Sequence, residues 1–253
     1  MGENTAISWT NNTWNPWVGC RKVSQGCKNC YMFREQERYG NDPKMVRRTA
    51  PATFNAPLKW KEPAMVFTCS WSDFFIEEAD EWRADAWKIV KETPHLTYQI
   101  LTKRIESVTL DMPEWPRNAW LGVTAENQDE LDSRWPVLQW LGRLYGIPVL
   151  FLSIEPMLSI VDISDALYWQ ETPSKWGRGV DWVIVGGESG PGARPMDLDW
   201  ARNVREQCLD NEIPFFFKQV GGSKKIDGTW GGDLLDGKRY HEMPSKAEEG
   251  TDG

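Results

Sequence analysis

Short, nearly continuous apolar runs alternate with stretches of helical period along most of this chain. Six runs read as strands: Ala64–Cys69, Leu96–Leu101, Trp120–Thr124, Pro148–Ile154, Trp182–Val185 and Pro214–Phe217. Ile7–Thr10 reads as one more, placed before them. Between them, Tyr31–Tyr39, Glu81–Glu92, Asp129–Leu141 and Leu198–Asn211 carry apolar residues at three- and four-residue spacing, which predicts helices. Trp82, Ala86, Ile89 and Val90 mark one such stripe, and Leu131, Trp135 and Leu138 another. Strands that are apolar throughout are buried on both faces, so the alternation predicts a parallel sheet covered by helices. Residues 43–63 read as a basic, Pro-rich surface connection, and 157–179 as an irregular insertion.

Polar residues end these runs. They are Ser72 and Asp73, Lys103 and Arg104, Glu126 and Asn127, Glu155, Glu188 and Ser189, and Lys218 and Gln219. In a (βα) barrel such positions converge on the C-terminal mouth, where active sites sit. An open doubly wound sheet would spread them along one edge. Their regularity favours a partial (βα)6-7 TIM-like barrel over residues 1–220. A Gly-rich polar extension over 221–253 follows, with Ala247–Gly253 expected to be disordered.

The densest chemistry lies between Trp14 and Tyr31. Three of the five cysteines, Cys20, Cys27 and Cys30, are spaced C-x6-C-x2-C. Asn12, Asn15, Pro16, Ser24 and Asn29 make the segment a loop. Gly19 and Gly26 each precede a cysteine and allow tight folding around an inorganic core. No His, Asp or Glu lies between Cys20 and Cys30, whereas a structural zinc site closes with four ligands. Thiolates are the usual ligands of iron–sulphur clusters, and three of them leave one iron of a [4Fe–4S] cluster open. Buried free thiols, a zinc knuckle completed by a distant ligand such as His241, and a disulfide with a spare thiol are the alternatives. Cys69 and Cys208 fall in strand and helix patterns and read as buried thiols.

Composition adjusts this picture modestly. The net charge is −8, yet residues 1–50 carry +4, which leaves −12 on the remainder. A basic edge beside the cysteine loop is suited to phosphate or nucleic acid. Sixteen tryptophans supply core and cleft walls. No apolar run approaches about 18 residues and no signal-peptide pattern opens the chain, so neither a membrane nor export is expected. Odd, clustered cysteines argue for a reducing compartment, hence the cytoplasm, that of a host if the chain is phage-encoded. Two histidines leave little room for a His-centred triad, and Ser153 lacks the G-x-S-x-G frame. Gly186–Gly192 lacks P-loop order and reads as a backbone turn that approaches a ligand closely.

A cysteine loop preceding a run of β/α units resembles the radical S-adenosylmethionine (radical SAM) superfamily. Cys27-Lys-Asn-Cys30 matches the second half of that superfamily's C-x3-C-x2-C motif, while the first gap here is six rather than three. The chain as a whole is still more similar to a family of phage-borne and bacterial three-cysteine proteins of largely unassigned function. The shared stretches are Trp14-Asn-Pro, Gly19-Cys20, Gly26–Tyr31, Leu101–Arg104, Leu121-Gly-Val, Glu126-Asn127, Ser153–Pro156, Val185–Gly192 and Phe216–Gln219.

The resemblance implies a radical SAM-type barrel in which Cys20, Cys27 and Cys30 hold a [4Fe–4S] cluster. S-adenosylmethionine would bind its open iron and yield a 5′-deoxyadenosyl radical, with electrons from a flavodoxin-like or ferredoxin-like donor. Asn29 and Tyr31 then flank the adenine position. Ser70, Ser72 and Asp73 would grip the methionine amine or ribose, Lys103 and Arg104 the methionine carboxylate, and Glu126 the ribose or an amine. Glu155, Glu188 and Lys218 are expected to face substrate as catalytic groups. The implied substrate is a modified nucleotide or DNA base, as in phage thymine hypermodification, with a rearrangement of an amino-acid adduct (isomerase or mutase) or a lyase reaction.

Overall fold

A computed structural model describes residues 2–108, 114–167 and 179–245. Its centre is a seven-stranded sheet of Asn12–Trp14 (β1), Ala64–Thr68 (β2), Leu96–Thr102 (β3), Ala119–Thr124 (β4), Leu150–Ile154 (β5), Trp182–Gly186 (β6) and Phe215–Gln219 (β7). The strands lie in chain order and every neighbouring pair is parallel. This sequential order curls the sheet into a half-barrel, with β1 and β7 as its edges. Four longer helices accompany it: Tyr31–Arg38 (α1), Asp80–Glu92 (α2), Gln128–Tyr145 (α3) and Leu198–Asp210 (α4). No described helix is long and apolar enough to cross a membrane.

Side chains alternate across a strand, so each strand feeds two cores. On the helix side, Tyr98, Ile100, Leu121, Val123, Leu152, Val183, Val185, Phe215 and Phe217 join the larger core. On the concave side, Phe67, Trp120, Phe151, Trp182, Ile184 and Phe216 meet Trp9 in a smaller one. Trp182 is the hub of that inner core, with the rings of Trp9, Trp120, Phe151 and Phe216 at 6.0, 6.3, 5.8 and 6.0 Å. Gly122 provides the room this needs: a Cβ there would lie 2.5 Å from the Phe151 ring.

The first strand is Asn12–Trp14 rather than Ile7–Thr10. Residues 12–14 pair with Val66–Thr68. Trp14 packs against Phe54 and Tyr98, and its indole donates to the Phe54 carbonyl at 3.0 Å. The asparagines that suggest a loop are satisfied locally: Asn12 Oδ1 accepts from Asn4 N at 3.0 Å, and Asn15 Oδ1 from Trp71 N at 2.7 Å. Residues 7–10 instead carry Trp9 beneath the concave face. The connection at 43–63 is also more than surface, since Phe54 and Trp60 are buried and Arg47–Arg48 pairs with Trp17–Val18.

Helix α3 begins at Asn127, whose side chain accepts from Glu130 N, and ends at Gly146 in the left-handed region. Within 157–179, Ser164–Leu167 forms one helical turn, and most of the remainder lies outside the described residues. Beyond Gly221, Lys225–Ile226 (β8) and Thr229–Trp230 (β9) make an antiparallel hairpin. Residues 240–242 then run back along β7: Phe217 N donates to Tyr240 O at 2.8 Å, and the Trp182 indole to Glu242 O at 2.9 Å. The segment Ala247–Gly253 lies outside the described residues.

Candidate functional site

The C-terminal ends of the strands open onto two adjoining cavities. The larger, about 410 Å³, has Trp9, Phe67 and Leu101 low in its wall and Thr124, Ser153, Glu155 and Lys218 above them. The cysteine loop forms one side with Gly26, Cys27, Asn29, Cys30 and Tyr31, and Gly187–Ser189 form the other. The smaller, about 160 Å³, is lined by Cys20, Cys27, Cys30 and Cys69 together with Ser72, Asp73, Lys103 and Arg104. Cys27, Cys30, Tyr31, Ser70 and Lys103 line both. The three loop cysteines thus share one chamber, and its neighbour has the size of a small-ligand pocket.

These thiols are not bonded to one another. Burial first, and then the nearby Asp73 carboxylate, pushes the Cys20 thiol up to about 12; burial also raises Cys30. Among the described residues, no three His, Cys, Asp or Glu side chains form a group that could hold a metal ion. A lone zinc requires all its ligands within about 2.0–2.3 Å of one point. A cluster takes each thiolate on a different iron, so its donor set is three thiols around one chamber rather than three aimed at one focus. His241 lies elsewhere: it stacks on Phe216 at 4.4 Å and faces Asp233 at 3.6 Å, and it lines neither cavity.

What holds the loop is Glu126. Its side chain is 0% exposed, and it lines neither cavity. Oε1 accepts from Ser24 Oγ and from Lys103 Nζ, and Oε2 accepts from Arg134 Nη1 at 2.9 Å. Burial alone would raise its pKa; Lys103, Ser24 and Arg134 together pull it down to about 2. The 3-10 turn Gln25–Cys27 lies directly on this carboxylate, for a Cβ at Gly26 would sit 2.2 Å from Oε1. Ser24 Oγ also lies 3.7 Å from Cys27 Sγ. Glu126, expected to hold a ribose or an amine, is placed as the anchor of the cysteine loop.

Several other strand-end groups are similarly engaged. Asp73 caps the end of β3, accepting from Thr102 Oγ1 at 2.7 Å and Lys103 N at 2.9 Å. Ser72 donates to Gly19 O at 2.6 Å, Ser70 exchanges hydrogen bonds with Asn15, and the Tyr31 hydroxyl donates to Ser70 O. Arg104 donates through Nη2 to Arg21 O at 2.8 Å, while its buried Nε has no partner. Glu188 is clamped by Arg194, through its N–H at 2.8 Å and its guanidinium, and by Asn29 Nδ2 at 2.9 Å. Burial opposes ionisation of Glu188, but these donors outweigh it and lower its pKa. Asn29 also donates to Gly192 O, so it ties the cysteine loop to the turn after β6.

Glu155 and Lys218 form the least committed pair. Lys218 Nζ donates to Glu155 Oε1, both side chains are about one-fifth exposed, and both line the larger cavity. Below them Trp9 is buried with its indole N–H unpartnered, beside Gln99, whose amide oxygen also lacks a partner. Buried polar groups rarely stay unpaired, so this level of the cavity is suited to a polar ligand atom or ordered water. Trp9, Ser24, Arg134 and Arg194 carry no motif of their own, and sequence reading misses them. The one available signal is Ser24-x-Gly26-Cys27, a small hydroxyl and a glycine beside a cysteine. Cys69, read as a buried thiol, is buried and also borders the thiol chamber.

No curated protein and no solved structure matches the chain. The family described as a protein of unknown function, DUF5131, matches residues 4–244, nearly the whole length. The chain therefore belongs to the DUF5131 family.

Proposed function

We propose that this protein is a radical SAM enzyme, in which Cys20, Cys27 and Cys30 hold a [4Fe–4S] cluster, the cysteine side of the larger cavity takes S-adenosylmethionine and the Glu155–Lys218 side is left to substrate. The observation that carries the reading is the shared chamber: three thiols of one loop, on the C-terminal side of a parallel half-barrel, with a ligand-sized cavity opening beside them. Active sites of barrels occupy that end. Bound together, the cluster and S-adenosylmethionine would supply radical chemistry for hydrogen abstraction. The protein's own residues bind, orient and exclude water.

Lys103 is available to a carboxylate, since it borders both cavities while its pairing with Glu126 fixes its position. Ser70 and Tyr31 border both cavities and offer hydroxyls to a polar ligand. Glu155 and Lys218 face the cavity opposite the cysteines, where they can hold a zwitterionic or hydrogen-bonding substrate and move a proton between Oε1 and Nζ. The aromatic walls Trp9, Phe67 and Trp71 suit a planar base. The proposed substrate is a modified nucleotide or nucleobase, and the reaction an isomerisation or lyase step. Electrons come from a small flavodoxin-like or ferredoxin-like protein.

The test is anaerobic reconstitution with iron and sulphide, followed by dithionite and S-adenosylmethionine. About four irons per chain and formation of 5′-deoxyadenosine, both lost in Cys20→Ala, are expected. Colourless protein holding one zinc and forming no deoxyadenosine would overturn the reading.

A further inference from the structure

Arg202 and Arg205 are paired with Asp236, and Arg239 with Asp233. Inside the mouth, Lys103, Arg194 and Lys218 are likewise paired, with Glu126, Glu188 and Glu155, whereas a strip along the rim is not. Lys28 and Lys224 have no ion pair among the described residues, and Arg34 reaches only Glu35, at 3.9 Å. Lys225 lies over the Trp230 ring at 5.3 Å. These residues are contiguous. Asn29, next to Lys28, donates to Gly192 O; the Arg34 guanidinium lies against Gly190; and Gly190 N donates to Gly222 O at 3.0 Å, at the root of the β8–β9 hairpin.

The hairpin itself has an unusual outer surface for an acidic protein. Lys224 and Lys225 are exposed, and Ile226, beside the turn, is 56% exposed with no apolar cover. Asp227, in the turn, is its one acid. The root is held to the turn after β6 by the Ser189–Gly222 bridge, so the hairpin is fixed beside the cavity. A cationic ribbon with an apolar residue at its end matches the chemistry of elements that grip phosphates and press a wedge between stacked bases. The cavity beside it has aromatic walls and a buried, unpartnered Trp9 N–H low in its wall. Its volume of about 410 Å³ does not admit a duplex.

We propose that the cavity mouth is a nucleic-acid-binding face, on which the β8–β9 hairpin grips the phosphate backbone and sets Ile226 against the base stack while the cavity receives one unstacked base. This deepens the proposed function by making the substrate a polymer rather than a free nucleotide. It rests on that reading only for what happens to the base afterwards. Binding requires neither cluster nor S-adenosylmethionine. An acidic protein would also be drawn to the cations, but it has no use for the wedge or for aromatic cavity walls.

The experiment is fluorescence anisotropy of the full-length protein with a labelled DNA duplex and the matching single strand, from about 50 to about 200 mM salt. A second duplex carries 2-aminopurine to report unstacking. Expected are salt-dependent binding, a log K against log salt slope smaller by about 2 in Lys224→Ala/Lys225→Ala, and loss of the 2-aminopurine rise in Ile226→Ala. Circular dichroism melts of these surface variants are expected to match the parent. Absence of binding to either DNA at about 50 mM salt would overturn the proposal, as would an unchanged slope in the double-lysine variant. So would displacement by polyglutamate as readily as by DNA with no 2-aminopurine response, which assigns the face to an acidic protein. Deoxyadenosine formation is assayed separately, so failure of the radical reading leaves this result standing, and the converse.

Discussion

Two neighbouring strands carry acids in equivalent places. Glu126 follows β4 and Glu155 follows β5, each just past an apolar parallel strand. Glu126 is sealed from solvent, holds Lys103 and Arg134, and supports the turn that bears Cys27. Glu155 borders the cavity and has a single cation, Lys218, itself about one-fifth exposed. A strand-end carboxylate is thus an anchor after one strand and a cavity wall after the next. Burial and the number of partners separate the two roles, and neither is visible in the position along the chain.

The largest expected effect is at the anchor. Glu126→Ala leaves Lys103 and Arg134 facing a buried void, and removal of one partner from a buried charge cluster costs about 3–5 kcal/mol. Urea unfolding measures it; a loss below about 1 kcal/mol would show that the cluster is only a surface-like contact and erase the comparison. The loop cysteines are expected to react faster with iodoacetamide in the same variant, because nothing then holds the 3-10 turn.

Acid gives a comparable effect without mutation. The folded pKa of Glu126 is lowered to about 2, below its unfolded value. Its contribution is therefore fully present above about pH 4.3, the unfolded glutamate value, and is lost as pH falls towards 2. On the order of 3 kcal/mol is at stake. Unfolding free energies measured across that window should fall steeply in the parent and less steeply in Glu126→Gln. Parallel slopes would mean that other carboxylates carry the acid sensitivity.

Gly26→Ala comes next. The added Cβ meets Glu126 Oε1 at 2.2 Å, so the loop or the carboxylate must shift, at about 1–3 kcal/mol. In a Glu126→Ala background the obstacle is gone, and the cost should shrink to a few tenths of a kcal/mol. Additive costs would place the strain somewhere other than this contact.

The half-barrel was legible because apolar runs of strand length alternate with stretches of helical period and end in polar residues. Leu121 and Val123 face the helices while Trp120 and Thr124 face the concave side, a division that a run apolar throughout does not mark. The first strand was misplaced because asparagine marks loops statistically, whereas here Asn12 and Asn15 satisfy their amides against Asn4, Ser70 and Trp71. The spacing groups Cys20, Cys27 and Cys30 in one loop, and all three line the smaller cavity. The loop's fastening was not legible, since Ser24, Gly26, Glu126 and Arg134 are far apart in sequence and meet only through the fold. Glu188 was missed for a different reason: its Arg194 clamp is only six residues away but uses an ordinary turn residue.

The smallest stability effect is expected at the cavity wall, where the functional effect should be largest. Glu155→Gln and Lys218→Met each remove one half-buried ion pair that solvent reaches, so each should change unfolding free energy by less than about 1 kcal/mol. If this pair faces substrate, the same variants should alter the affinity or turnover of whatever occupies the cavity. The double variant should then be no worse than the worse single one, because the two groups act as one unit. Equilibrium binding of S-adenosylmethionine by calorimetry provides the separating measurement. Unchanged cofactor affinity with lost turnover would place the pair on substrate, whereas weakened affinity in both variants would place it on the cofactor. A stability loss as large as that of Glu126→Ala would make Glu155 a second anchor and remove the distinction between the two carboxylates.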